Sequence, residues 1–196
     1  HLGSLVIDDF DQKWIVIPKG GGLLVYDDNG SIENVFDDED KTLSTAVGNG
    51  ALPSNDIYSL AKDRDGEIWV GTNKGIAVFY SPENVFSGYD FDAQQILVDV
   101  DGYVEHLLTN ETVTAIAVDG ANRKWLGTQS AGVFLVSPDG TEQIHHFTEE
   151  NSPLFSNTIT DIAINNQTGE VYIGTSNGLL SYMSDATQGY EAHQNV

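Results

Sequence analysis

Two stretches of this 196-residue chain gather acidic side chains closely enough to suggest cation chemistry. Asp63-Arg64-Asp65-Gly66 opens like a calcium loop, and Asp37-Asp38-Glu39-Asp40 is a run of consecutive acids. A helix–loop–helix calcium site needs further oxygen ligands and a bidentate Glu at its twelfth position. Counted from Asp63 that position is Lys74, and the equivalent turns elsewhere do not repeat Asp-x-Asp-Gly, so the segment reads as a hairpin turn. Neighbouring acids in an irregular connection seldom converge on one ion, so residues 37–40 read as a solvated connection. His145 and His146 are the sole adjacent histidines. In an extended strand they point to opposite faces and cannot share a metal. No Ser, His and acid fall in a nucleophile-elbow context, and no loop cradles phosphate. The expectation is therefore a protein with no catalytic residue, no metal site and no cofactor.

Composition narrows the partners. Thirty acidic residues against eight basic ones give a net charge of −22. Phosphate neutralisation needs clustered Lys and Arg, so nucleic acid is excluded as an expected partner. Cysteine is absent, which removes disulfides and thiolate metal sites. No apolar run approaches the roughly 18 residues of a membrane-spanning helix. An apolar fraction of 40% is enough for a packed core.

The elements that position these residues repeat. Leu2–Tyr26, Ile57–Tyr80, Val113–Val136 and Ile159–Tyr182 each run as an alternating apolar strand, a polar turn, an aromatic-led strand and a Gly-led strand. Their aromatic markers, Trp14, Trp69, Trp125 and Tyr172, are spaced by 55, 56 and 47 residues. A period of that size filled with short strands predicts an all-β fold of β-propeller blades. Four consecutive four-stranded antiparallel blades are expected within residues 1–183, at about 1–51, 52–108, 109–154 and 155–183, as part of a larger propeller. Inner strands are predicted at Leu2–Asp8, Ile57–Lys62, Val113–Val118 and Ile159–Ile164. The weaker outer strands fall at Ser31–Phe36 or Thr42–Val47, at Tyr103–Leu108 and at Gln143–Phe147. Ile96–Val100 adds a strand pairing with Tyr103–Leu108, and residues 184–196 read as a polar linker toward a further C-terminal domain. The tryptophans occupy one place in every copy, which predicts packing between blades rather than a sugar platform. Four blades alone would expose an apolar sheet face at each end, which self-association of the chain would cover.

Leu52-Pro-Ser-Asn-Asp-Ile57, Glu67-Ile-Trp-Val-Gly-Thr72 and Gly75-Ile76 resemble the two-component regulator propeller repeat of Bacteroidetes sensor proteins. The stretches Val113–Trp125, Gly132–Leu135, His145–Thr148, Asn151–Pro153 and Gly178–Thr187 are similar to PorZ-type propeller proteins of the type IX secretion system. The resemblance implies a non-enzymatic module at the periplasm or outer-membrane surface, with envelope or secretion-complex proteins as partners and a glycan such as lipopolysaccharide as ligand. The alternative it implies is the periplasmic polysaccharide-sensing propeller of a hybrid two-component system. Propeller connectivity places the blade-to-blade connections on the same face as the turns between second and third strands. The expected ligand residues on that face are Lys19, Asn55, Asn73, Lys74, Gln129, Asn157 and Asn177. The two lysines sit in equivalent turns of adjacent blades, where they would meet an anionic sugar.

Overall fold

The computed structural model describes residues 4–31, 33–100 and 102–187. Its strands follow the repeat. The first sheet is a meander of β1 (Leu5–Ile7), β2 (Lys13–Ile17), β3 (Gly22–Asp27) and β4 (Glu39–Leu43). The second holds β5 (Ile57–Lys62), β6 (Ile68–Thr72) and β7 (Gly75–Phe79), followed by a short 3₁₀ turn, Pro82–Asn84. A separate hairpin pairs β8 (Leu97–Val100) with β9 (Tyr103–His106). The third sheet contains β10 (Val113–Val118), β11 (Lys124–Thr128), β12 (Val133–Val136) and β13 (Gln143–Phe147). The last contains β14 (Ile159–Asn165), β15 (Glu170–Thr175) and β16 (Gly178–Met183). All strand pairings are antiparallel, as short hairpin turns dictate.

The first strands of the sheets lie side by side, β1 on β5, β5 on β10 and β10 on β14. Side-chain hydroxyls tie them: Ser59 donates to the Val113 carbonyl at 2.9 Å, and Thr114 to that of Ile159 at 2.7 Å. The sheets thus stack around these strands as blades of an arc that is not closed into a full propeller.

Each tryptophan points from its own blade into the next. Trp14 meets Phe79 of the second blade at 5.0 Å between ring centroids, and Trp125 meets Tyr182 of the fourth at 5.6 Å. Trp69 packs with Leu126 and Val136 of the third. All three indoles are fully buried, as expected of inter-blade anchors. Tyr172, in the last described sheet, is 37% exposed. The strands show the same arrangement: β6 and β11 are buried on both faces, whereas β2 and β15 are buried on one.

Four expectations change in detail. The first inner strand is shorter, beginning at Leu5, and residues 1–3 lie outside the described residues. The first outer strand, Glu39–Leu43, overlaps the Thr42–Val47 alternative only at its last two residues and begins earlier, so two of the four consecutive acids belong to a strand. It is fixed by the buried Leu43 and by Lys41, whose ammonium reaches the Val85 carbonyl and lies 4.5 Å from the Phe91 ring centre. Phe36 and Val47, in the segments expected to pair, stay exposed. Tyr103–His106 forms the expected hairpin with Leu97–Val100 but does not join the second sheet. That sheet's outer edge is held instead by a bridge between Val78 and Gln94 and by Ile76 N–H donating to Leu107. Finally, the polar tail begins docked. Ser184 N–H donates to Gly169, Asp185 pairs with Arg123 at 2.7 Å, and Ala186 is buried. The remainder of the expected linker, residues 188–196, lies outside the described residues.

Candidate ligand face at the blade connections

A repeated hydrogen-bonded joint gathers the expected ligand residues along one face. In the first three blades the glycine at the start of the third strand donates its N–H to the connection entering the next blade: Gly22 to Asn55 at 3.2 Å, Gly75 to Glu111 at 3.1 Å and Gly132 to Asn157 at 3.0 Å. In return the following turn leans on the same connection. Asn73 N–H donates to Asp56, Gln129 N–H to Thr112 and Ser176 N–H to Thr158. Neighbouring turns are thereby stitched into a continuous rim.

The joint glycines have φ of 82°, 84° and 80°. A Cβ there would collide with the carbonyl oxygens of Leu43, Leu107 and Phe147 respectively. The Gly-Thr turns, one residue longer in the third blade than in the second and fourth, have a structural cause too. Thr72, Thr128 and Thr175 donate their hydroxyls to the carbonyls of Gly75, Gly132 and Gly178, and accept N–H groups of the turn.

The seven expected residues divide by how their side chains are occupied. Asn55 accepts from Thr45 N–H at 3.1 Å, and Asn157 accepts from Glu149 N–H at 2.9 Å. The side chain of Asn73 donates to Asp56, and that of Asn177 to the Phe155 carbonyl. These four asparagines hold the rim's shape. Gln129 and the two lysines are exposed. Among the described residues, no hydrogen-bond or ion-pair partner contacts the Lys19 or Lys74 ammonium.

That freedom sets these lysines apart. Lys13 pairs with Asp11 and Asp28, Lys62 with Asp9, Arg123 with Asp119 and Asp185, and Lys124 with Asp63. Lys41 is held over aromatic rings, and Arg64 donates to the Asp119 carbonyl. Lys19 and Lys74 are the remaining two of the eight basic residues. Asp56 connects their turns, lying 3.2 Å from where a Cβ on Gly20 would sit and bonding Asn73 with its other oxygen.

A groove of about 460 Å³ runs beside this rim, between the β8–β9 hairpin and the third blade. Asp99, Glu105 and Glu111 line it with Phe134 and His106, so its charge repels an anion. A second, apolar groove of about 340 Å³ lies between the third and fourth blades, walled by Phe147, Leu154 and Tyr182. His146 stacks on Phe134 at 3.9 Å and bonds the Ala131 carbonyl. Among the described residues no three His, Asp or Glu side chains converge as a metal site.

One recurring motif escaped the sequence reading. Asp8, Asp63, Asp119 and Asn165 close the inner strand of each copy. One side-chain oxygen of each accepts backbone N–H groups of the following turn: Phe10 and Gln12, Asp65 and Glu67, Ala121 and Arg123, Gln167 and Thr168. The second oxygen varies. Asp8 accepts from the Trp14 indole at 2.9 Å, Asp63 from Lys124 of the next blade at 2.8 Å, and Asp119 from Arg123 at 2.7 Å. Where a cation claims that oxygen, the indole nitrogens of Trp69 and Trp125 are left without a partner. Both members of the Lys124–Asp63 pair are fully buried, with the ammonium 4.5 Å from the Trp69 ring centre. Burial pushes the Asp63 carboxyl up, but Lys124 and the turn N–H groups outweigh it and hold it below the usual range.

The model of the family described as two component regulator propeller matches residues 51–74. Among solved structures, PorZ, a surface component of the type-IX secretion system of Porphyromonas gingivalis, is 31% identical over 96% of this chain, with a TM-score of 0.85. The extracellular domain of BT3049 of B. thetaiotaomicron, assigned to a hybrid two component system, is 26% identical over 94%, with a TM-score of 0.67. The extracellular domain of BT4673 of the same organism is alike in fold at 19% identity over 92% of this chain, with a TM-score of 0.65. This chain spans 26%, 21% and 23% of their respective lengths. No curated protein matches the sequence. The chain is a run of propeller blades related to PorZ and to the extracellular domains of hybrid two component systems, with a two component regulator propeller repeat at residues 51–74.

Proposed function

We propose that this chain is a non-enzymatic, extracytoplasmic binding module whose connection face takes an anionic glycan, as part of an envelope-associated assembly. The observation that carries the reading is the pair of free ammonium groups. In a chain of net charge −22, six of eight cations are engaged internally, and the two left over lie in the second-to-third-strand turns of adjacent blades. Asn73, Thr72 and the Asp56 carboxylate lie in or between these turns, groups that can hydrogen-bond a sugar. The surface location of PorZ and the extracellular location of BT3049 support an extracytoplasmic setting, and PorZ supports a place beside secretion-complex proteins.

A second reading, the ligand-sensing segment of a hybrid two component system, is favoured by the likeness to BT3049. Both readings use the same face and differ in what the face reports to. The test is binding of lipopolysaccharide and of acidic oligosaccharides to the Lys19→Glu/Lys74→Glu variant. Affinity for the anionic glycan is expected to fall at least tenfold with the fold intact by circular dichroism. Undiminished binding by the variant removes this face from consideration.

A further inference from the structure

The groove between the β8–β9 hairpin and the third blade is separate from the rim lysines and has a chemistry of its own. We propose that it docks an extended, basic peptide segment of a partner protein, with apolar side chains on its floor and Lys or Arg against its acidic walls.

The attachment of the hairpin creates the groove. Leu107 N–H donates to the Ile96 carbonyl at 2.8 Å, and Leu107 accepts in turn from Ile76 of β7, which anchors the hairpin's base on the second blade. Beyond that base β8 and β9 pair only with each other. The hairpin therefore stands out from its blade and leaves a gap of about 460 Å³ against β12 and β13. That volume lies within the roughly 300–1,000 Å³ of clefts that hold a ligand. Gly140 closes the inner end: a Cβ there would lie 2.7 Å from Ile96 and 2.9 Å from the Trp69 ring, so the turn before β13 sits flat on the inter-blade core. Both walls belong to blades with a neighbour on each side, so the groove is a property of the second and third blades themselves.

The floor is apolar. Val98, Leu108 and Phe134 are partly buried there against the core between these blades. His146, tied to the Ala131 carbonyl, stacks on Phe134 and holds its ring in place. Strand register puts Val100, Tyr103 and Glu105 on the same side of the hairpin as Val98. Val100 and Tyr103 are 50% and 74% exposed, so the apolar strip continues outward along the hairpin.

The walls carry charge of one sign. Asp99, Glu105 and Glu111 line the groove, and no Lys or Arg does. One oxygen of Asp99 accepts the Gly102 N–H, and one of Glu111 accepts the Ser130 hydroxyl. Their other oxygens, and both of Glu105, meet no donor among the described residues. Glu105 and Glu111 stand six residues apart in the chain, and no three acids converge as a metal site among the described residues. Acids spread in this way suit several cations carried on a chain rather than one ion. An extended peptide meets both demands, because its alternate side chains point to opposite sides. Apolar residues reach the floor while the cations between them reach the carboxylates. Apolar burial supplies affinity, and the acids select the sign of charge.

Fluorescence anisotropy of a labelled synthetic peptide alternating Lys and Leu, at physiological ionic strength, gives the direct test. Screening over about 8 Å there suppresses general attraction to the acidic surface. The parent chain should bind this peptide at least tenfold more tightly than peptides alternating Glu and Leu or Lys and Ser. Asp99→Asn/Glu105→Lys keeps the oxygen that caps the hairpin turn and should lower affinity at least tenfold. Thr141→Trp should do the same by filling the groove without changing its charge. Glu33→Gln/Glu150→Lys, an equal change in net charge at exposed positions elsewhere, should leave affinity unchanged. All five positions are exposed, and circular dichroism verifies each fold. Absence of binding by the parent, equal binding of the Lys–Ser peptide, undiminished affinity in either groove variant, or an equal loss in the Glu33 and Glu150 variant would each overturn the proposal. The Lys19→Glu/Lys74→Glu variant should retain the peptide, so this inference and the glycan reading fail separately.

Discussion

The Lys124–Asp63 contact shows how a polar pair can specify one joint of a repeating array. Both groups are buried, so removing one partner leaves the other charged and unsolvated. Lys124→Met is expected to cost about 3–5 kcal/mol in chemical denaturation. The double variant Asp63→Asn/Lys124→Met should recover most of that loss, because Asn keeps the oxygen that caps the turn, as Asn165 does in the fourth copy. The pH dependence follows from the lowered carboxyl. A carboxylate depressed on folding contributes stability that is present above its unfolded pKa and is lost as pH falls through the folded one. The parent should therefore destabilise in acid more steeply than the double variant, read from melting temperatures across the acid range. Glu67 has the opposite sign: burial, then the charge of Asp63, raise its carboxyl. Ionising it opposes folding at neutral pH, so Glu67→Gln should raise the melting temperature there and lose that advantage at a pH below the usual Glu range. The Asx positions themselves were visible in the sequence, since Asp8, Asp63 and Asp119 stand six residues before their tryptophans. They were overlooked because the residues between them differ, and only backbone geometry reveals that one oxygen does the same work in each. Likewise, the sequence located the two rim lysines, but that the other six cations are engaged depends on contacts between distant residues.

At the scale of elements, inner, second and third strands were legible because each shows a period imposed by burial. The outer strands were not, since a strand paired on one side is fixed by a few contacts. Gln143–Phe147 matched because it follows its partner after a short turn, whereas Glu39–Leu43 depends on Lys41 reaching the second blade. The joint glycines give a clean comparison between backbone strain and crowding. Gly132→Ala meets a left-handed backbone, worth about 1–2 kcal/mol, and the Phe147 carbonyl besides. Gly88 has φ of 81° with nothing within 4 Å of a Cβ, so Gly88→Ala should show the conformational cost alone. Equilibrium denaturation of both should find Gly132→Ala the more destabilised; equal losses would show that the neighbouring strand moves aside.

The molecule as a whole is a directional row of sheets in which packing runs from each blade to the next. Every joint is made from residues far apart in sequence, so no blade is expected to be stable alone. Trp69→Ala, which empties the middle joint, should cost roughly 3–5 kcal/mol. It should also split a single unfolding transition into two if the halves of the row hold independently, a result calorimetry would detect.

The aromatic series has an optical consequence. The three indoles are buried one to a joint, and the last position of the series is a tyrosine. Intrinsic tryptophan emission is therefore a blue-shifted signal from the three internal joints and is silent about that position. Placing a tryptophan at residue 172 would add a fourth emitter in partial contact with water, whose wavelength reports directly on the last described sheet.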